Sequence, residues 1–298
     1  SIKEFNLEDF NLKGEAMKTI KLPGNMLPNN EGAPNLPGNG RFIAIPEGAE
    51  ATLEILSTRT EIIKNVEIAP APRIPLDTDD SPLEYNKDQS IYSKNAFYPA
   101  EPFLLSDVQQ VRGVDAVMLG ITPFQYNPVT RELKVYRDVE VKINFKGGNG
   151  QFGENRLRSR HFESILADAF INYSSLPEID FNEKIQNSTR EAGCEYLIVS
   201  PNGAEFQQWA DSLKRFRIQQ GIPTKVVTLD EIGGNDVGTL EAYFNDAYNN
   251  WTMPPAAVLL LGDYGMDASN SITSPIWDNY CVSDNIFADV NNDDMPDM

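Results

Sequence analysis

The run from Cys194 to Asp263 constrains this chain more than any other stretch. Its periodicities alternate strand, helix, strand, helix, strand and end in Val258-Leu-Leu-Leu-Gly-Asp263. Short apolar strands joined by helices build a parallel sheet, whose inner strands are covered on both faces. Strands are expected at 195–200, 224–229 and 256–261, the last an uninterrupted apolar run. Helices are expected between them, at 204–220 and 237–250. In the first, Phe206, Trp209, Leu213 and Phe216 recur at helical spacing as one apolar face, and Gly221 stands where a C-terminal cap belongs. The second stacks Leu240, Tyr243, Phe244, Ala247, Tyr248 and Trp251. Right-handed crossovers then fix the local topology. Parallel sheets carry ligands beyond the carboxyl ends of their strands, so Asp263 reads either as a functional carboxylate or as a cap for the next segment.

The earlier sequence follows another pattern. Prolines recur from Pro23 to Pro102 too often for long helices. Val139, Val141, Ile143 and Phe145 alternate with Glu140, Lys142 and Asn144, the period of a half-buried strand. Asn127-Pro-Val-Thr130 supplies a turn, so 117–145 reads as a meander, and 77–89 reads as a polar surface loop. Short strands with Pro/Gly turns imply an all-β sandwich or jelly-roll-like domain. Gly147-Gly-Asn-Gly150 closes it. The expected organisation is α+β overall: a β-rich domain at 1–150, a connector at 151–190, and an α/β parallel-sheet domain at 191–298.

The connector carries Arg156-Leu-Arg-Ser-Arg160, three arginines in an otherwise acidic chain, followed by a modest helix at 161–170. Arg156, Arg158 and Arg160 on an extended connector are what a trypsin-like or self-cleaving peptidase reads, which makes this the expected processing region. The alternative is a basic patch packed on the acidic second domain.

Lysine and arginine number 25 against 44 acids, a net charge of −19, which argues against a nucleic-acid surface. Between Glu191 and Met298 there are 4 basic residues and 17 acids, 4 − 17 = −13; from Asp263 onward there are 8 aspartates and no lysine, arginine or glutamate. Such density costs folding energy by self-repulsion unless solvent or cations neutralise it. Asp289-Val-Asn-Asn-Asp-Asp-Met-Pro-Asp297 sets Asp289, Asn291, Asp293 and Asp297 at positions 1, 3, 5 and 9 of an EF-hand-like loop, and Asp284, close by in sequence, is a fifth candidate ligand. Hard cations seek about six or more oxygens, and alternating short acids on a tight loop deliver them. Asp294 stands where such loops have glycine, and position 12, the place of the bidentate acid, falls past Met298. A calcium site and a metal-free Asn/Asp turn are both compatible with the pattern.

Catalytic residues are not apparent. His161 is the sole histidine, and nothing in the sequence places Cys194 or Cys281 beside it. Gly233-Gly234 lacks both the spacing and the lysine of a phosphate loop. No apolar run reaches the roughly 18 residues of a membrane span. No signal peptide is visible, in a chain that begins at Ser1.

Two sets of motifs carry a resemblance. In the second domain these are Tyr196-Leu-Ile-Val-Ser-Pro201, the helix with Trp209 and its exit from Arg217 to Gly221, Ala247-Tyr-Asn-Asn-Trp251, Val258-Leu-Leu-Leu-Gly-Asp263 and Cys281-Val-Ser-Asp284. In the first they are Gly32-Ala-Pro-Asn-Leu-Pro37, Tyr98-Pro99, Arg112-Gly113 and Thr122-Pro-Phe-Gln-Tyr-Asn-Pro128 leading into Leu133-Lys-Val-Tyr136. In order and spacing the chain resembles the gingipain-type cysteine peptidases. The resemblance implies a secreted zymogen of Bacteroidetes type, with a β-rich inhibitory propeptide, a caspase-like catalytic domain and bound calcium. It also implies contact between propeptide and catalytic domain in cis, and protein or peptide substrates for the full-length enzyme. The family's catalytic histidine, in a His-Gly motif, and its cysteine lie on later strands, and no position here matches them. The expectation is therefore an N-terminal fragment: propeptide plus the first half of the peptidase domain. The rival is a non-catalytic secreted calcium-binding module for adhesion or assembly.

Overall fold

Alternating residues and frequent turns make the first part of the chain antiparallel. A computed structural model describes residues 1–25, 30–75, 81–187, 193–278, 281–293 and 295–298. Strands β1 (Asn6–Leu12) and β2 (Glu15–Lys21) form a hairpin, followed by β3 (Asn39–Ala44) and β4 (Ala49–Lys64). After the four-residue helix α1 (Gln89–Tyr92) come β5 (Phe103–Leu105), β6 (Gln109–Val111), β7 (Val114–Ile121), β8 (Phe124–Asn127) and β9 (Glu132–Gly147). β4 and β9 pair antiparallel from Ala49↔Gly147 to Lys64↔Glu132, with two register shifts, and β8 extends this sheet. The turn into β9 is built as the sequence suggests: Asn127 Oδ1 accepts from the Val129 and Thr130 amides. The meander does not extend back to β7, which pairs with β5 and β6 instead. Part of the 77–89 loop, residues 77–80, lies outside the described residues. Phe124, Tyr126, Leu133 and Val135 pack with Ile20, Leu36, Val66 and Ile68 as the core.

The second part contains α2 (Glu163–Ala169), α3 (Phe181–Asn187), β10 (Tyr196–Ser200), α4 (Ala204–Gln219), β11 (Thr224–Thr228), α5 (Leu229–Ile232), α6 (Val237–Asn250) and β12 (Ala257–Leu260). It ends in β13 (Asp263–Tyr264), β14 (Ser271–Ile272), β15 (Ile276–Trp277), β16 (Cys281–Val282) and α7 (Asn285–Ala288). β11, β10 and β12 form a parallel sheet in that order. Its core joins Leu197 and Val199 to Leu240, Phe244, Ile272 and Phe287. β11 stops at Thr228 because that side chain and Glu231 form a reciprocal capping box that starts α5.

The expected apolar face of α4 divides. Phe206 and Leu213 are half-buried and Ala210 is buried, whereas Trp209 and Phe216 are exposed. At 3.6 residues per turn those two aromatics lie about 80° round the helix from the Phe206–Ala210–Leu213 stripe that meets the sheet. A single small residue, Ala210, sets the closest approach.

The chain divides into two units. One comprises Ser1–Ile43, Ala49–Asp107 and Val117–Gly147; the other comprises Ala44–Gly48, Val108–Ala116 and Gly148–Met298. The tip of the β6–β7 hairpin therefore belongs with the parallel-sheet unit. Among the described residues no helix is long and apolar enough to cross a membrane.

Candidate functional site

The second unit concentrates buried charge around that hairpin tip. Val111 pairs with Val114, so Arg112 and Gly113 form a two-residue loop, with φ of 49° and 72°. Positive φ at both positions is what a type I′ hairpin turn requires. Gly113 is needed for space as well, since a Cβ there would lie 2.5 Å from Leu157 Cδ1. The turn aims Arg112 inward, where it is 1% exposed. Its Nη1 donates to the carbonyls of Pro255 (2.7 Å) and Asp297 (2.9 Å), and its Nη2 to that of Pro254 (3.2 Å). The guanidinium also lies over the rings of Phe162 and Tyr248, at 5.1 and 5.5 Å. Burial lowers its pKa to about 10, so it stays charged at neutral pH.

Around this group the connector is folded in. Arg156 donates to the carbonyls of Tyr248 (2.7 Å) and Trp251 (2.9 Å) and pairs with Glu154. Arg158, whose side chain is 2% exposed, grips Glu163 through two 2.6 Å bonds. Burial pushes the Glu163 carboxyl up, but the bonds from Arg158 and the Tyr173 hydroxyl outweigh it, and the net shift is downward. Arg160 donates to Glu195 (2.7 Å) and to the Gly221 carbonyl (2.6 Å). Lys184 Nζ caps the backbone itself, donating to the carbonyls of Asn155, Arg156 and Arg158. Desolvation, then nearby Arg112, lowers its pKa to about 8. Cleavage after Arg158 therefore requires this connector to open.

The acidic loop packs on the same hairpin. Asp289 and Asn291 accept from the Asp293 amide at 3.1 and 3.0 Å. Asp293 Oδ2 accepts from the Gln110 amide and Oδ1 from the Met295 amide. Asp297, buried, accepts from the Tyr248 hydroxyl (3.1 Å) and the Val290 amide (3.2 Å). Burial pushes its carboxyl up to about 6, its two hydrogen bonds oppose that rise, and Asp293 and Asp289 add to it. Asp284 is directed elsewhere, accepting from the Ser274 hydroxyl. So Asp289, Asn291, Asp293 and Asp297 share one loop while Asp284 stands apart; Asp294 lies outside the described residues. Among the described residues no group of three or more His, Cys, Asp or Glu side chains is already arranged to hold a metal. The chemistry of the loop nonetheless fits a hard cation: its candidate ligands are all oxygen, and Asp293 and Asp289 repel the carboxylate of Asp297.

The remaining sequence candidates are dispersed. Cys194 is 1% exposed and burial pushes its thiol up to about 12, the state of an inert core thiol. Cys281 is exposed, its thiol donating to the Val282 carbonyl. His161 faces Glu195 at 3.7 Å. Asp263 is exposed and accepts from the next amide, of Tyr264, which is a local cap. Sequence reasoning missed the roles of Arg112, Tyr248 and Lys184. The Arg112-Gly113 dipeptide between apolar residues was the available signal for the first.

Comparison with known proteins accounts for this juxtaposition of a hairpin from the earlier sequence with the parallel-sheet unit. The sequence model Propeptide_C25 matches residues 4–177, and that of Peptidase family C25 matches residues 189–298. The chain belongs to the gingipain-type cysteine peptidase family. It is 27% identical over 244 residues to Gingipain R1 of Porphyromonas gingivalis, covering 79% of this chain and 23% of that protein. With Lys-gingipain of the same organism it is 23% identical over 274 residues, covering 89% of this chain and 15% of that protein. Among solved structures, the complex of Porphyromonas gingivalis RgpB pro- and mature domains aligns with a TM-score of 0.51 at 26% identity, over 57% of this chain and 87% of that one. The chain thus spans about a quarter or less of the length of these two gingipains. It consists of a C25 propeptide and part of a C25 peptidase domain, the arrangement of a gingipain zymogen. Arg112 lies in the propeptide match, and its carbonyl acceptors Pro254, Pro255 and Asp297 lie in the peptidase match.

Proposed function

We propose that these 298 residues belong to a secreted gingipain-like cysteine endopeptidase zymogen, in which the propeptide restrains the peptidase part. The Cys–His dyad that would cleave protein or peptide substrates is then supplied by sequence outside this chain. The observation that carries this reading is Arg112: a propeptide side chain fully buried among peptidase carbonyls, beside two cysteines unsuited to nucleophilic work. Nucleophilic catalysis needs a thiol with a base in hydrogen-bond reach. The purified chain should therefore leave Arg- and Lys-containing peptides and casein uncut. Turnover abolished by Cys194→Ala or Cys281→Ala would sink the proposal.

The same reading assigns processing to the connector at Arg156, Arg158 and Arg160, and calcium to Asp289, Asn291, Asp293 and Asp297. A bound cation would supply charge neutralisation for the acidic loop. Lys184 sets how readily the connector opens, because it satisfies the connector carbonyls of Asn155, Arg156 and Arg158. Lys184→Ala is expected to speed tryptic cleavage at 156–160 roughly tenfold, by favouring local opening. An unchanged rate, or first cuts elsewhere in both proteins, would remove the connector from this role.

A further inference from the structure

Two surfaces of the second unit complement each other. On α4, Trp209 is 68% exposed and Phe216 is 53% exposed. They lie seven residues apart and so form one stripe. Large aromatics exposed side by side mark an interaction surface rather than ordinary surface. Arg215 Nη2 donates to Ser212 Oγ at 3.1 Å, which holds its charge on the flank of the stripe, since Ser212 lies one turn before Phe216. The charge pattern sharpens this. The four cations between Glu191 and Met298 are Lys214, Arg215, Arg217 and Lys225, and all lie on α4 or β11.

The opposite chemistry lies at the end of the chain. A groove of about 470 Å³ is lined by Trp277, Ile286, Met295 and Pro296, with Asp289 in its wall. Trp277 at its rim is 58% exposed, and Asp278 beside it is exposed too. The region from Asp263 onward carries acids without a basic residue. One surface is thus an aromatic ridge with a cation, the other an apolar groove with acids. α4 is packed on β10 and β11, which fixes its ridge on the surface of the unit.

We propose that a second copy of this chain is the occupant: the Trp209–Phe216 ridge of one molecule seats in the Trp277–Met295 groove of another, with Arg215 meeting the acidic wall. Such a contact is heterologous, because ridge and groove are different surfaces, so association does not stop at two copies.

Sedimentation of the 298-residue chain in EDTA, from about 1 to about 100 µM, should give a weight-average mass that climbs above 33.3 kDa with concentration. The double variant Trp209→Ser/Phe216→Ser should remain at 33.3 kDa, as should Trp277→Ser. Arg215→Glu, which leaves every apolar contact in place, should weaken association at least tenfold. Mixing the ridge variant with the groove variant should restore a complex of two copies and no more, because each keeps the surface that the other lacks. A wild-type mass constant at 33.3 kDa overturns the proposal. So does association that survives the ridge substitutions, or a mixture that stays monomeric while both variants melt like the wild type.

Discussion

Arg112→Ala is expected to lower the Tm of the second unit by roughly 5–10 °C, equivalent to about 3 kcal/mol. The side chain is 1% exposed and fills its site. Removing it empties that volume and leaves the carbonyls of Pro254, Pro255 and Asp297 without their donor. A buried acceptor without a partner costs about 1–3 kcal/mol, beyond the lost contacts with Phe162 and Tyr248. Arg112→Lys should recover little, since an ammonium cannot fork to three acceptors while stacking between two rings. The chemistry also predicts what comes apart. After tryptic nicking within 156–160, the wild-type pieces should stay together on a sizing column, and the Arg112→Ala pieces should separate. A variant that melts like wild type and keeps its pieces together would mean the hairpin is held by other contacts.

That latch shows where sequence reading reaches and where it stops. The parallel sheet was legible because strand and helix periods are local: β10, β11 and β12 fall within the expected runs, whereas the order β11–β10–β12 depends on which strands meet in space, which no local period records. The β8–β9 turn was legible for the same reason, as Asn127 caps residues two and three positions away. Face assignment on α4 was not. Periodicity finds an apolar stripe, but which part of a broad stripe meets the sheet depends on the approach that Ala210 permits, and the three-stranded sheet leaves Trp209 and Phe216 uncovered. The arginine connector misled in another way. Three basic residues in sequence suggest an open strand, whereas their partners, Glu163, Glu195, Tyr248 and Trp251, lie 5 to 95 residues away. Arg112 is the extreme case, with acceptors 142 to 185 residues distant. Sequence displayed the two-residue turn but not the destination of its side chain.

Calcium should raise the Tm of the chain by about 2–4 °C over that in EDTA at pH 7.5, a gain near 1 kcal/mol if the ion stands a few-fold above a roughly millimolar Kd. The argument begins with Asp297, a buried carboxylate whose pKa rises to about 6. Its folded value lies above its unfolded value, so the folded chain binds the proton more tightly. That contribution is fully present below the unfolded pKa and is lost as pH rises through about 6. In EDTA, therefore, Tm should be higher near pH 5 than near pH 7.5. Calcium should narrow that difference by supplying at pH 7.5 the positive charge that the proton supplies at pH 5. Burial is the main cause of the shift and Asp293 and Asp289 add to it, so Asp289→Ala and Asp293→Ala should each abolish the calcium gain and make the pH dependence shallower. Asp297→Asn should keep the acid-side stability at every pH, because the amide oxygen can accept from the Val290 amide while its NH2 donates to the Tyr248 hydroxyl oxygen. Asp284→Ala should change none of this, since its carboxylate is bonded to Ser274 outside the loop. If Tm is the same with calcium and with chelator, and both loop substitutions leave it unmoved, the segment is an Asn/Asp turn whose carboxylates serve only its own backbone.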